Sequence, residues 1–380
     1  MSNTKKKIFE LSTIGLTDGV GAAIAAVFWF YIASQLGPEN YGELTYLVSI
    51  SALVSGIAIF GSNHTILVLT GKKVDIHATL YMITMLANVV GSIIIFILFF
   101  NLGISLLIIG YSLFALVSAD LLGRKLYKSY SKYIITQKIL LVVFGIGFYY
   151  LIGENGILIG IALAHTHLII CVAKSIKNSK INFNLIKEKK KFILNNWAIT
   201  ISGLVYGSID KLVIGSFIGF GILGNYSLGL QFYSLLNLLP TMIVKYFIGQ
   251  DISGIPNKKL KKMVVLIAIG IAILGSTIGP TIVSYVFPKF AESENIVQII
   301  SWTLVPATIQ AVYHYPKLWT AEKNNIILIA SIINAVTQII GIIILGTLYS
   351  GVGVALSMVL SSVFGLIFTF IMTKFFLKLN

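Results

Sequence analysis

The sequence contains a single cysteine, Cys171, and a single arginine, Arg124, among its 380 residues. One cysteine cannot form a disulfide within the chain, so the redox compartment stays undetermined. Charged residues are also scarce at 11%, whereas ordinary soluble domains contain about 25%. Hydrophobic residues reach 57%, and the mean hydropathy is +0.93. The core of a soluble domain could not bury so much apolar surface, and lipid is therefore the expected solvent for most of the chain.

The motifs of a membrane enzyme are missing as well. The sequence shows no paired-acid motif, no Gly-Lys-Ser phosphate loop and no nucleophile–base arrangement. His165 and His167 are two residues apart and face different sides of a helix, which is unsuited to a metal site. We therefore expect neither enzymatic activity nor a bound cofactor or metal.

Long apolar segments are what the sequence has in abundance. A helix needs about 20 apolar residues to cross a hydrocarbon layer about 30 Å thick. Twelve segments meet this length, at 9–35, 41–69, 77–101, 103–122, 134–152, 155–175, 193–218, 222–249, 261–287, 295–317, 325–348 and 351–374. The divisions at Leu102–Gly103 and Ser350–Gly351 contain the least polar sequence. The pattern predicts an all-α, polytopic membrane protein of about twelve transmembrane helices.

Basic residues are concentrated in alternate connections. They occur in "MSNTKKK", "GKK" (71–73), "GRKLYKSYSK" (123–132), the segment 174–191, "NKKLKK" (257–262), "PKLWTAEK" (316–323) and "KFFLKLN". The other connections contain Lys289 as their only basic residue. Because cytoplasmic loops accumulate lysine and arginine, we expect a multi-pass protein of the cell membrane with both termini in the cytoplasm. This topology accounts for the net charge of +15 without a nucleic-acid partner.

The longest polar stretch divides the chain into two halves. We predict a basic cytoplasmic linker at 176–192 between six-helix bundles at 1–175 and 193–380. The turn "LGPENYG" follows the first segment, and "IGFGILG" follows the seventh. An offset of 182 residues aligns Gly37 with Gly219 and Gly42 with Gly224. Two parallel repeats are typical of secondary transporters, in which the substrate site lies between repeats that move to expose it alternately.

These segments resemble the polysaccharide-biosynthesis flippases, which belong to the superfamily that also contains multidrug and toxic-compound extruders. "LGPENYGELTYLVSI" (36–50) is similar to the first outer turn of that family. "DKLVIGSFIGFGILGNYSLGLQF" (210–232) is similar to its most recognisable segment, which contains an acid–base pair, a glycine and a Gly-Tyr-Ser opening of the next helix. The matching residues are Asp210, Lys211, Gly215, Gly224, Tyr226 and Ser227. The chain departs from the family in its short length and in having one arginine, where related flippases often line the cavity with several.

Charged and polar residues inside the apolar segments are the candidate binding residues, because such groups usually face a bundle interior or an aqueous cavity. We predict that Lys138, Lys211 and Lys245 attract a pyrophosphate, with Asp210 and His64 beside them. Snorkelling to the headgroups is the alternative for Lys138 and Lys245, and hydrogen bonding within the bundle is the alternative for His64. A structural tie to another helix is the alternative for Asp210 and Lys211. These two are adjacent and diverge by about 100° on a helix, so a simple ion pair between them is not assured.

Other residues are candidates for coupling and gating. Asp18 in the first segment could take up a proton or a sodium ion, and a hydrogen bond to a neighbouring helix is the alternative. Pro240 interrupts helical hydrogen bonding and is a candidate hinge. The predicted outer closures are the turn glycines Gly37, Gly42, Gly219 and Gly224.

The resemblance and the cationic residues together predict a flippase. Its substrate would be a polyprenyl-linked oligosaccharide moved from the cytoplasmic to the outer leaflet for assembly of cell-surface polysaccharide or glycan. The expected partners are this substrate, the lipid bilayer and polysaccharide-assembly proteins. The alternative is a multidrug extrusion antiporter of the same superfamily, whose cationic substrates would suit Asp18 and Asp210 but not the lysines. A membrane scaffold without transport activity is a third possibility.

Overall fold

The computed structural model describes residues 3–177, 181–241, 258–321 and 323–377, and every regular element in these ranges is helical. The α-helices are α1 (Asn3–Leu36), α2 (Pro38–Ala58), α3 (Ser62–Gly71), α4 (His77–Phe99), α5 (Leu102–Gly123), α6 (Tyr127–Ile152), α7 (Glu154–Leu163), α8 (Ile169–Lys177), α9 (Phe183–Glu188), α10 (Lys190–Leu204), α11 (Asp210–Phe217), α12 (Phe220–Leu236), α13 (Lys258–Val286), α14 (Ala291–Ile300), α15 (Leu304–Ile309), α16 (Tyr315–Thr320), α17 (Asn324–Gly341) and α18 (Thr347–Leu377). Within the described residues, nine helical segments are long and apolar enough to cross a membrane, some of them joining consecutive helices. The predicted all-α polytopic membrane fold is confirmed.

The helices form two compact units. The first contains Met1–Trp29 and Leu47–Leu204, and its core includes Ile66, Leu80 and Leu116. The second contains Phe30–Tyr46 and Val205–Asn380, and its core includes Ile214, Tyr226, Ile296 and Val354. Residues 30–46 therefore pack with helices that lie far away in the sequence. The predicted division of the chain at 176–192 stays a prediction.

Helix α4 has its polar residues on a buried face and its apolar residues on an exposed face, as a lipid environment requires. Thr84 and Ser92 are buried, whereas Val90 and Leu98 are 57% and 67% exposed. The hydroxyl of Thr84 donates a hydrogen bond of 2.9 Å to the hydroxyl of Ser62 on α3. Polar groups point inwards and apolar groups outwards because lipid can solvate only the latter. The hydrogen bonds between hydroxyl groups then contribute to helix association.

The two divisions with the least polar sequence are both interruptions of helical backbone in the structure. Helix α4 ends at Phe99 and α5 begins at Leu102, with the side chain of Asn101 capping the amide of Ile104. Near the second division, Ser350 has φ 51° and ψ −133°, which kinks the chain inside α18. Two helical segments thus meet at the predicted turn even though almost no polar sequence marks it.

The second predicted segment, 41–69, is not one continuous helix. Helix α2 ends at Ala58 and α3 begins at Ser62, with Gly61 in the left-handed conformation at φ 68°. A Cβ atom at Gly61 would overlap the backbone nitrogen of Trp197, so only glycine allows this close approach. The break exposes the carbonyl group of Ile57, which accepts a hydrogen bond of 3.0 Å from Nε1 of Trp197. The helix is therefore interrupted by a contact with α10 that hydropathy does not encode.

The eighth predicted segment, 222–249, is interrupted near its centre. Helix α12 ends at Leu236, with Asn237 as its C-cap, and Pro240 is buried just beyond. Proline has no amide hydrogen and so cannot donate to the carbonyl group of Leu236, four residues earlier, which explains why the helix ends there. Lys245 lies outside the described residues.

Candidate functional site: a polar cavity in the second unit

The glycine turns that the repeat predicts lie at equivalent helix starts. Gly37 precedes α2 with φ 78°, and Gly219 is the N-cap of α12 with φ 133°. A Cβ atom at Gly42 would overlap the carbonyl group of Phe220, and one at Gly224 would overlap the carbonyl group of Pro38. The contact is reciprocal, because Pro38 and Phe220 are also 182 residues apart. The starts of α2 and α12 thus cross at backbone distance around a local two-fold relationship.

A polar cavity of about 540 Å³ lies within the second unit. Its walls come from α11, α12, the segment 301–315, α17 and α18. Among the residues that the structure describes, its polar lining consists of one acid–base pair and of hydroxyl and amide side chains. These are Tyr226, Gln231, Tyr233, Ser234, Thr303, Gln310, Tyr315, Ser331, Asn334, Gln338 and Ser362.

The acid–base pair of the cavity is Asp210 and Lys211. Asp210 is 4% exposed, and one of its carboxylate oxygens lies 3.7 Å from Nζ of Lys211. The ammonium group also donates a hydrogen bond of 2.7 Å to the carbonyl oxygen of Gly207. The two side chains therefore come together although adjacent helical residues diverge, because Lys211 folds back along the preceding turn.

A hydrogen-bond network connects this pair to α17. The hydroxyl of Tyr226 donates a hydrogen bond of 3.1 Å to Oδ2 of Asp210, and Nε2 of Gln338 donates one of 3.3 Å to the hydroxyl of Tyr226. Three buried oxygens of the cavity have no hydrogen-bond partner in the described part of the chain: Oδ1 of Asp210, Oγ1 of Thr303 and Oδ1 of Asn334. Oδ1 of Asp210 is the oxygen that lies 3.7 Å from Nζ of Lys211. Buried polar atoms normally have a hydrogen-bond partner, so the oxygens of Thr303 and Asn334 are candidates to bind a polar ligand.

Three π-helical segments interrupt the described part of the second unit, and two of them contribute to the cavity wall. They span Val205–Ile209, Gln310–His314 and Ile342–Gly346. Gly207 and Gln310 from the first two segments line the cavity. π-Helical turns are rare and frequently mark functional sites, because they redirect side chains and free backbone groups. They are an independent reason to place the candidate site here.

Three further predicted site residues, Lys138, Asp18 and His64, lie in the first unit. Lys138 on α6 is half-buried, and its Nζ lies 5.5 Å above the ring of Phe114. Asp18 on α1 accepts a hydrogen bond of 2.8 Å from the hydroxyl of Tyr130, which corresponds to the helix-tie alternative. His64 is half-buried just after the break between α2 and α3. Their roles in binding and coupling stay predictions.

Several cavity residues were missed by reasoning from charge. Gln310, Asn334 and Gln338 are buried amides inside apolar helices. An uncharged amide is not marked by charge, yet burying one is costly unless it is hydrogen-bonded. An inventory of amides in the apolar segments would have found these residues.

No model of a known protein family matches the sequence, and no curated protein matches it. Solved structures do match its fold. An inward-facing multidrug resistance transporter of the MATE family, within the MOP superfamily, is 12% identical with a TM-score of 0.71, over 95% of this chain and 96% of that chain. The lipid II flippase MurJ in an inward closed conformation is 18% identical with a TM-score of 0.71, over 94% of this chain and 87% of that chain.

A third solved structure is a MOP-superfamily transporter from Pyrococcus furiosus, 12% identical with a TM-score of 0.59, over 97% of this chain and 95% of that chain. The matches extend over nearly the full length of each protein, so the likeness involves the whole helical arrangement and not one motif. The chain therefore has the fold that these MOP-superfamily transporters share.

Proposed function

We propose that this protein is a secondary transporter that flips a polyprenyl-linked oligosaccharide from the cytoplasmic to the outer leaflet of the cell membrane by alternating access. The product would be used in assembling cell-surface polysaccharide or glycan. The observation that carries the proposal is the second-unit cavity, whose polar lining in the described part of the chain is uncharged except for Asp210 and Lys211. The fold likeness to a lipid II flippase supports a lipid-linked substrate.

The chemistry of the cavity suits a sugar. A sugar hydroxyl both donates and accepts hydrogen bonds, as do the amides of Gln310, Asn334 and Gln338 and the hydroxyl of Tyr226. Tyrosine rings add flat apolar surface against which a sugar ring can pack. The single carboxylate lies close to a lysine, so little net charge faces the ligand. The cavity thus offers many hydrogen bonds and weak electrostatic preference.

The pyrophosphate of the substrate requires a cation, and Lys138 is the candidate in the first unit. It forms no ion pair with any residue that the structure describes, and its Nζ lies 5.5 Å from the centre of the Phe114 ring. A lysine without a carboxylate partner can attract an anion as a point charge. Lys211 and Lys245 complete the proposed cationic set.

Multidrug extrusion is the second candidate function, and two observations favour it. Several of the structures that share the fold are multidrug transporters, and the cavity contains a buried carboxylate, Asp210, whose Oδ1 accepts no hydrogen bond from the described residues. A buried acid suits an organic cation. The nearby ammonium group of Lys211 opposes such binding, and for this reason the flippase is the preferred proposal.

The test uses purified protein in liposomes and follows a fluorescent polyprenyl-pyrophosphate oligosaccharide from one leaflet to the other. We expect protein-dependent flipping that falls in Lys138→Ala, Lys211→Ala and Lys245→Ala and also in Gln338→Leu, which removes an amide from the cavity. Lys262→Ala is the matched control, because Lys262 is exposed and lies outside the cavity. Flipping that survives in all four variants would overturn the proposed site. Transport of an organic cation without flipping would establish the extruder instead.

A further inference from the structure

Two short turns in the first unit have the same sequence pattern and the same fold. "GKKV" (71–74) ends α3, and "GRKL" (123–126) ends α5. Each turn is closed by the same two backbone hydrogen bonds, which run from Lys73 to Thr70 and from Val74 to Leu69 in the first, and from Lys125 to Leu122 and from Leu126 to Leu121 in the second. This is the Schellman arrangement of a helix C-terminus. We name the two segments the paired basic turns.

The paired basic turns lie side by side. A Cβ atom at Gly123 would be 2.8 Å from the carbonyl oxygen of Leu67, and one at Gly71 would be 3.5 Å from the carbonyl oxygen of Gly123. The ends of α3 and α5 therefore meet at close range, and the basic residues of both turns are brought to one end of the first unit. Both turns belong to connections that the distribution of lysine predicts to be cytoplasmic.

Each turn has a lysine where glycine is usual. Lys73 has φ 61° and Lys125 has φ 58°, both in the left-handed region. A side chain at this position incurs a steric cost that glycine avoids. Glycine would form this position of the turn at lower steric cost. The geometry of the turn alone therefore does not explain why both turns have lysine there.

The only arginine of the chain is held rigidly beside these turns. Nε of Arg124 donates a hydrogen bond of 2.7 Å to Oδ1 of Asp120, and Nη2 lies 2.8 Å from Nε2 of His77. Because the guanidinium group always donates, Nε2 of His77 accepts, and Nδ1 carries the proton that is donated to Asp75 at 2.9 Å. The other N–H groups of Arg124 have no hydrogen-bond partner among the described residues. A fixed guanidinium group with free donors is thus presented beside the turns.

A cavity of about 260 Å³ lies at this position. It is lined by Thr70, Lys73, Val74, Asp75, His77 and Arg124. The hydroxyl of Thr70 is buried and has no hydrogen-bond partner in the ranges that the structure describes. Arg124, Lys73 and Thr70 therefore bring three kinds of unused donor to one small cavity.

We propose that this cavity binds a phosphoryl group, held by Arg124 and Lys73 as cations and by the hydroxyl of Thr70. The guanidinium fork matches two phosphate oxygens, and lysine adds a point charge. The source is a phospholipid headgroup or free phosphate, which share this chemistry. The inference concerns a site in the first unit and does not depend on the proposed transport substrate.

The acidic residues of the cluster do not cancel this preference. Asp120 is buried, and it lies on the Nε edge of Arg124, away from the free donors. Asp75 has a side chain that is 58% exposed, and it is bonded to His77. The paired turns contribute four basic side chains against these two acids. The local field therefore remains favourable to an anion.

The experiment titrates full-length protein in a neutral maltoside detergent with dihexanoyl phosphatidylglycerol and, separately, with inorganic phosphate, and follows binding by calorimetry. Lys73→Gln removes one cation from an exposed turn, and Arg124→Gln removes the guanidinium group. Lys128→Gln is the matched control, because it removes a positive charge from an exposed residue four positions after Arg124 that lies outside the cavity. Thermal unfolding of each variant establishes that it is folded. If Arg124→Gln does not fold, Lys73→Gln still tests the proposal.

We expect one saturable site, weakened about tenfold or more in Lys73→Gln and Arg124→Gln and unchanged in Lys128→Gln. Binding of the lipid alone would identify a phospholipid site, and equal binding of inorganic phosphate would identify a site for free phosphate. The proposal is overturned if the wild type shows no saturable binding of either probe. It is also overturned if Lys128→Gln weakens binding as much as Lys73→Gln does.

Discussion

The hydroxyl groups of Thr45 and Ser227 lie 3.0 Å apart, although 182 residues separate them in the sequence. The same offset relates Gly37 to Gly219 and Gly42 to Gly224. Residues that the predicted repeat aligns thus meet each other in the second unit, around a local two-fold relationship. The crossing of α2 and α12 is where these residues come into contact.

We expect Gly42→Val and Gly224→Val to destabilise the protein. Each side chain would overlap a backbone carbonyl group of the opposite helix, and overpacking of this kind costs about 1 to 3 kcal/mol. The measurement is the apparent Tm in detergent. Gly270→Val is the control, because a Cβ atom there meets nothing within 4 Å. An unchanged Tm in both variants would contradict the close crossing.

Gly37→Val and Gly219→Val should impair transport while membrane insertion stays intact. Both glycines have positive φ values that a β-branched residue adopts only with strain, so the turns would be distorted without a large loss of packing. Flipping in liposomes and the amount of inserted protein are measured together. Gly147→Val serves for comparison, since Gly147 is helical and has open space around it. Normal flipping in both turn variants would rule out a gating role.

Tyr226→Phe should weaken both stability and transport. It removes the hydrogen bond to Asp210 and leaves a buried carboxylate with Lys211 as its nearby cation. Losing a hydrogen bond to a charged group costs about 1.5 to 3 kcal/mol. Thermal unfolding and substrate flipping provide the two readouts. Tyr285→Phe is the matched change at an 85% exposed tyrosine, and equal effects of the two substitutions would argue against the network.

Trp197→Phe should lower stability by about 1 kcal/mol, because it removes the donor to the carbonyl group of Ile57 at the helix break. Trp302→Phe makes the same change at a tryptophan that is 43% exposed. Denaturation followed by tryptophan fluorescence compares the two variants. If Trp197→Phe is no more destabilising than Trp302→Phe, the hydrogen bond does not stabilise the break.

Hydropathy and glycine turns predicted the all-helical fold and many of the helix ends. The boundary at Ser350 was also predicted, because the short sequence Tyr-Ser-Gly separates two apolar segments there. Hydropathy and glycine turns failed at Gly61, because that break depends on the backbone of Trp197, which lies 136 residues away in the sequence. A pattern read along one segment has no information about such a contact.

The candidate site was predicted only in its charged part. Charge marks Asp210 and Lys211 in the sequence but does not mark the amides around them. The pairing of Asp210 with Lys211 depends on how Lys211 folds back to the carbonyl group of Gly207. The position of the cavity follows from helix packing and from π-helical turns, which have no simple sequence signature. Lys245 was predicted from charge alone and lies outside the described residues.

The packing of residues 30–46 with the second unit has a consequence for biosynthesis. Thr45 leaves the ribosome 182 residues before its partner Ser227, and at about 5 to 20 residues per second the delay is about 10 to 40 seconds. During that interval the first helical hairpin is already made, but the surface that covers Gly42 does not yet exist. Completion of the second unit must therefore wait for the C-terminal half of the chain, and the first hairpin has to remain soluble in lipid until its partner arrives.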